Sequence, residues 1–110
     1  MEYQCGNIFV REMRFGGVGS VVEGHAHNFD HVTYVTRGAV LVEKLDGNGA
    51  VVRAVVKTAI DGYNWVLIEA GVTHRLTSQT SDALAHCIYS HRNHQGEVVQ
   101  QYDGWTPGYV

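Results

Sequence analysis

The 110-residue chain has little with which to cross-link itself: two cysteines, Cys5 and Cys87. They are too few for a disulfide framework and neither belongs to a Cys-x-x-Cys pair, so both are expected as free thiols. It also has little to break it up. The one proline, Pro107, stands near the C-terminal end, and no linker, charge run, low-complexity tract or repeat divides the rest, which predicts a single domain over residues 1–110. A TIM barrel or a complete Rossmann domain does not fit this length. A chain of this size buries roughly two thirds of its unfolded surface, enough for one core without staples.

Positive charge is also scarce. Eight Lys plus Arg against eleven Asp plus Glu leave a net charge of −3 and no basic stripe, which argues against nucleic acid as a partner. No apolar stretch reaches the ~20 residues of a membrane-spanning helix, and Met1-Glu2-Tyr3-Gln4-Cys5 carries neither the basic nor the apolar region of a secretory leader. The expectation is a cytoplasmic protein with no membrane partner.

Helical periodicity is missing as well. No window of a dozen residues carries a capped 3.6-residue apolar period, whereas β-branched and aromatic residues recur in short segments. These predict about eight strands: Ile8 to Phe15, Val18 to Glu23, His31 to Arg37, Ala39 to Leu45, Val51 to Lys57, Trp65 to Ile68, Ala83 to Tyr89 and Glu97 to Tyr102. Gly16-Gly17, Arg37-Gly38, Asp61-Gly62 and Ala70-Gly71 punctuate them, and Asp46-Gly47-Asn48-Gly49 is the clearest hairpin tip. Many short strands with Gly-rich turns predict an all-β sandwich or barrel.

What the chain does have is histidine: seven, nearly as many as its Lys plus Arg. Three fall in Gly24-His25-Ala26-His27-Asn28-Phe29-Asp30-His31, and His74 follows later. On a strand, His25 and His27 project from one face about 6.6 Å apart and can converge on one ion. A helix would set them roughly 200° apart. The spacing of His27 and His31 would suit a helical zinc site, but Asn28 stands where His-Glu-x-x-His needs its glutamate.

These residues resemble a known family. Gly19, His25-x-His27, His31 and Gly38 match, spacing for spacing, the first motif of the cupin superfamily, G-x5-H-x-H-x3-E-x6-G, with His31 in the glutamate's place. The second motif, G-x5-P-x-G-x2-H-x3-N, is similar to Tyr63 through Ser78. Gly71 and His74 are in position, Glu69 replaces the proline, Tyr63 occupies the first glycine slot and Ser78 replaces the asparagine. The resemblance runs from Gly19 through Ser78. It implies a double-stranded β-helix, or jelly-roll barrel, holding one divalent transition metal ion on His25, His27, His31 and His74. Imidazole suits Fe, Mn, Ni, Cu and Zn alike, so the ligand type leaves the ion open.

Four neutral imidazoles leave the +2 charge uncompensated and favour an anionic ligand. An octahedral shell would keep two positions open, enough for a bidentate substrate or for one substrate atom and dioxygen. The resemblance therefore implies a metal-dependent oxidoreductase, dioxygenase-like, acting on a small anionic or enolisable molecule. The alternative is a binding module without turnover, a sensor or accessory protein, with Tyr63, Trp65, Tyr102 and Trp105 as an aromatic platform. A third reading gives the metal a role in folding only.

Strand parity places Thr33 and Val35 with His31, and Leu76 and Ser78 with His74, as candidates for the pocket wall. His86 is a further candidate. Glu23 shares parity with His25 and could reach the barrel mouth as a base, but it reads first, like Asp30 and Glu69 in their turns, as a solvated surface carboxylate, and Tyr34 and Arg75 read as facing away. His91 and His94 read as part of a solvated turn. No residue is assigned a catalytic role. One apolar face of Ile8 to Phe15 could cover the barrel or pair with a second copy, so a homodimer is expected.

Overall fold

A computed structural model describes residues 2–23, 26–27, 29–60, 62–90, 92 and 94–97. Among them are nine strands: β1 (Glu2–Cys5), β2 (Ile8–Arg14), β3 (Val21–Val22), β4 (His31–Arg37), β5 (Ala39–Leu45), β6 (Val51–Thr58), β7 (Trp65–Ile68), β8 (Thr73–Ser78) and β9 (Leu84–Ser90). They form two antiparallel sheets, one ordered β1-β2-β9-β4-β7 and the other β3-β8-β5-β6. No described helix is long and apolar enough to cross a membrane.

Alternation along each strand decides what faces inward. In the first sheet Arg11, Cys87, Thr33 and Val66 stand opposite one another across β2, β9, β4 and β7, and Met13, Ala85 and Val35 form the next row. In the second sheet Ser78 pairs with Val40, Leu76 with Val42 and His74 with Lys44. The core closes on Phe9, Val35, Val40 and Leu76, each at most 2% exposed. His31 and His74 thus come from strands of opposite sheets and point into the space between them.

Three elements depart from the sequence-based expectation, and a fourth lies largely outside the described residues. The strand expected over Val18 to Glu23 shrinks to Val21–Val22, because Gly19 adopts a left-handed φ of 79° and Ser20 N–H turns back to the Gly17 carbonyl. Thr73–Ser78 forms a strand in its own right, and Glu2–Cys5 adds an edge to β2. Glu97 carries no strand, and residues 98–102 lie outside the described residues, as do Trp105 and the rest of the C-terminal run.

Two turns set the register. Asp46 accepts hydrogen bonds from the Asn48 and Ala50 amides at 2.8 and 2.9 Å, closing the β5–β6 hairpin. Gly38, at φ 63°, carries the chain from β4 in one sheet to β5 in the other, and a Cβ there would strike Thr80 and Asp82. The motif glycine is therefore a requirement of the crossing.

Candidate metal centre

His27 lies in the irregular stretch before β4, His31 opens β4, and His74 is the second residue of β8. All three are buried, and each offers a nitrogen within 4.8 Å of the others. Their ring centroids stand 5.1 to 5.6 Å apart. Nitrogens bound to one ion at about 2.1 Å lie at most about 4.2 Å apart, so a contraction of the order of an ångström suffices for ligation. His25, the remaining expected ligand, lies outside the described residues.

The local chemistry fits a metal. His74 Nδ1 stands 3.1 Å from the Val72 carbonyl, which can only accept, so Nδ1 carries the proton and Nε2 keeps its lone pair for an ion. Phe29 stacks on His27 with centroids 4.8 Å apart and on Tyr89 at 4.1 Å, holding the imidazole in an apolar wall. Two hydrogen bonds tie the His27 stretch to the turn before His74: Gly71 N–H to the His27 carbonyl at 2.7 Å, and Ala70 N–H to the Asp30 carboxylate at 2.7 Å. Asp30, expected as a solvated turn residue, is a clasp between the two motifs.

Beside the three imidazoles is a cavity of about 20 Å³, the size of one water molecule or ion. Thr33 and Leu76 line it, with Arg11, Met13, Val22, Glu23 and Cys87. Thr33 Oγ1 is buried without a hydrogen-bond partner, a polar atom that a bound group would satisfy. Arg11 was not legible as a site residue from the motifs. Its signal was parity, since it is the one charged residue between Phe9 and Met13 on an otherwise apolar strand face. Cys87, expected as a free thiol, is buried in this wall.

The other candidates are placed elsewhere. Val35 is fully buried in the core but does not line the cavity. Ser78 is also fully buried, yet its hydroxyl donates to the Gly17 carbonyl and accepts from Ser20 N–H at 3.0 Å, securing the turn before β3. Ser78→Ala is expected to cost about 1–3 kcal/mol of stability by orphaning these groups, with metal content unchanged. Urea unfolding and elemental analysis together check it.

His86 faces the opposite side of the first sheet, because the inward positions of β9 are Ala85 and Cys87. There its Nδ1 lies 3.4 Å from Thr36 Oγ1 and its Nε2 3.8 Å from Glu12 Oε1. Tyr34 and Trp65 pair on that same outer face, and Tyr63 is largely exposed. Arg75 bonds Glu43 at 3.0 Å, and that hydrogen bond, then the carboxylate's charge, raises the guanidinium pKa above its ordinary value. Glu69 is exposed, and His94 is exposed in a turn, while His91 lies outside the described residues.

No family model matches the chain, and no curated protein matches it in sequence. Solved structures do. An oxalate decarboxylase from Bacillus subtilis, studied for its Mn(II) centres, superposes with a TM-score of 0.63 at 18% identity over 86% of this chain and 24% of its own. The present chain thus spans about a quarter of that longer one. KdgF from a Halomonas species gives a TM-score of 0.63 at 20% identity, covering 84% of this chain and 77% of that one. A cupin-2 domain protein from Shewanella frigidimarina gives 0.59 at 16%, covering 79% and 74%. With two antiparallel sheets, no helix among the described residues and these structural neighbours, the chain has the cupin fold, and its buried His27, His31 and His74 cluster fits a metal-binding cupin.

Proposed function

We propose that the protein is a metal-dependent oxidoreductase, dioxygenase-like, acting on a small anionic or enolisable molecule. The observation that carries this reading is the convergence of three buried imidazoles on a cavity that also receives Arg11 and Glu23. His27, His31 and His74 would hold the ion, joined by His25 in its motif position. A bound divalent transition metal supplies Lewis-acid polarisation of a substrate oxygen.

The chain's own residues supply the rest. Arg11 brings a permanent positive charge to the cavity and orients an anionic group through its planar donors. The Thr33 hydroxyl donates a hydrogen bond into the same space. Glu23 is the carboxylate among the described lining residues and is placed to take up a proton. The apolar wall of Met13, Val22 and Leu76 keeps bulk water from the imidazoles.

The manganese centres in the decarboxylase's published description make Mn a first ion to test, beside Fe, Ni, Cu and Zn. A second reading, a metal-holding module without turnover, is favoured by the small size of the cavity, about that of one ion or water. Elemental analysis after loading with each ion, followed by oxygen uptake on enols and catechols, separates the two. Stoichiometric metal with oxygen consumption that Arg11→Gln lowers at least about tenfold supports the enzyme. Stoichiometric metal with no turnover on any such substrate supports the module.

A further inference from the structure

We propose that the open groove between β6 and β7 is a subsite for the remote anionic group of a small organic dianion whose other end reaches the metal centre. The placement of the near end rests on the reading above; the subsite itself rests on the groove. Its volume is about 470 Å³, and His74 lines both it and the small cavity, so the two spaces border the same residue.

The strand register then lays out a row of positive charge leading away from His74. His74 on β8 stands opposite Lys44 on β5, and Lys44 opposite Arg53 on β6, all on one face of the second sheet. Neighbouring strands lie about 4.8 Å apart, so the backbone of Arg53 is about 10 Å from that of His74. Lys57, on the same face of β6, also lines the groove. Two carboxylates line it too. Glu43 is engaged by Arg75 at 3.0 Å, which leaves Glu69 against three cations. Val42, Val55 and Val66 provide an apolar wall between the charges and suit a hydrocarbon spacer.

Charged residues on an edge strand also discourage edge-to-edge pairing. That role does not account for Lys44, which lies on the interior strand β5, nor for a row that ends on His74. A ligand with one anionic group at the metal centre and a second, carboxylate or phosphate, over Lys44 and Arg53 accounts for both.

The test titrates metal-loaded and metal-free protein calorimetrically with adipate, with the phosphonate analogue of adipate, and with hexanoate, a monoanion of matched length. Adipate is expected to bind at least about fivefold more tightly than hexanoate, with the difference shrinking as salt rises. The Lys44→Gln/Arg53→Gln protein is expected to lose the preference while keeping its metal content. Arg53→Glu, a single exposed change, should reverse it. A tighter phosphonate identifies a phosphate-bearing ligand, and an equal or weaker one a dicarboxylate. Equal affinity for adipate and hexanoate, or a preference that survives both variants, overturns the subsite. Metal content read on the same samples judges the metal centre separately, since failure to load any ion sinks that reading while the metal-free titrations still decide this one.

Discussion

A His31→Ala protein is expected to hold divalent metal at least about a hundredfold more weakly than the wild type. Loss of a group that merely orients a metal ligand costs roughly 10–100-fold in affinity, and loss of a ligand costs no less than the upper end. His31 opens β4 and faces His27 and His74 in a buried cluster, so truncation to alanine removes one of three converging nitrogens. Competition against a chromophoric chelator measures the affinity. His74→Ala is expected to behave alike, and His86→Ala, on the outer face, to bind metal as the wild type does. Unchanged affinity in His31→Ala would remove this residue from the centre, and with it the case that an imidazole replaces the motif's glutamate.

Gly38→Ala is expected to destabilise the fold by about 2–4 kcal/mol. Roughly 1–2 kcal/mol comes from forcing a side chain into the left-handed region at φ 63°. The remainder comes from overpacking, since the new Cβ meets Thr80 Oγ1 and comes within 2.7 Å of Asp82 Oδ1 and 3.2 Å of the Ala83 backbone. Denaturant midpoints measure the loss, and Thr80→Ala in the same background should recover part of it, as expected for two residues in contact. A full recovery would assign the cost to the clash alone. No recovery would assign it to the backbone.

The fold was legible because its determinants are local. Alternating Val, Ile and Thr with Gly and Asp at the turns announces antiparallel strands, and the spacing from Gly19 to Gly38 and on to His74 announces the barrel. Thr33 lines the cavity and Tyr34 stands on the opposite face, the arrangement that strand parity alone describes. Parity placed Val35 and Ser78 on the inner faces but could not say how far each lies from the site, because distance along a barrel axis depends on how strands of opposite sheets meet. Ser78 is occupied by the Gly17 to Ser20 turn for that reason. His86 went astray through ambiguous parity, which only its pairing with Glu12 and Tyr34 resolves. Arg11 and Cys87 lie outside both motifs and Phe29 fills an unspecified position of the first, so the motifs name none of them; their places beside the site arise from how β2, β9 and the stretch before β4 meet.

The hydrogen bonds that join the two motif segments have a mechanical consequence. With Gly71 N–H on the His27 carbonyl and Ala70 N–H on the Asp30 carboxylate, the chain before β4 and the turn before β8 are laced across the seam between the sheets. Neither can lift without breaking its ties to the other, so the rim of the barrel opens as one cooperative unit rather than as two independent flaps.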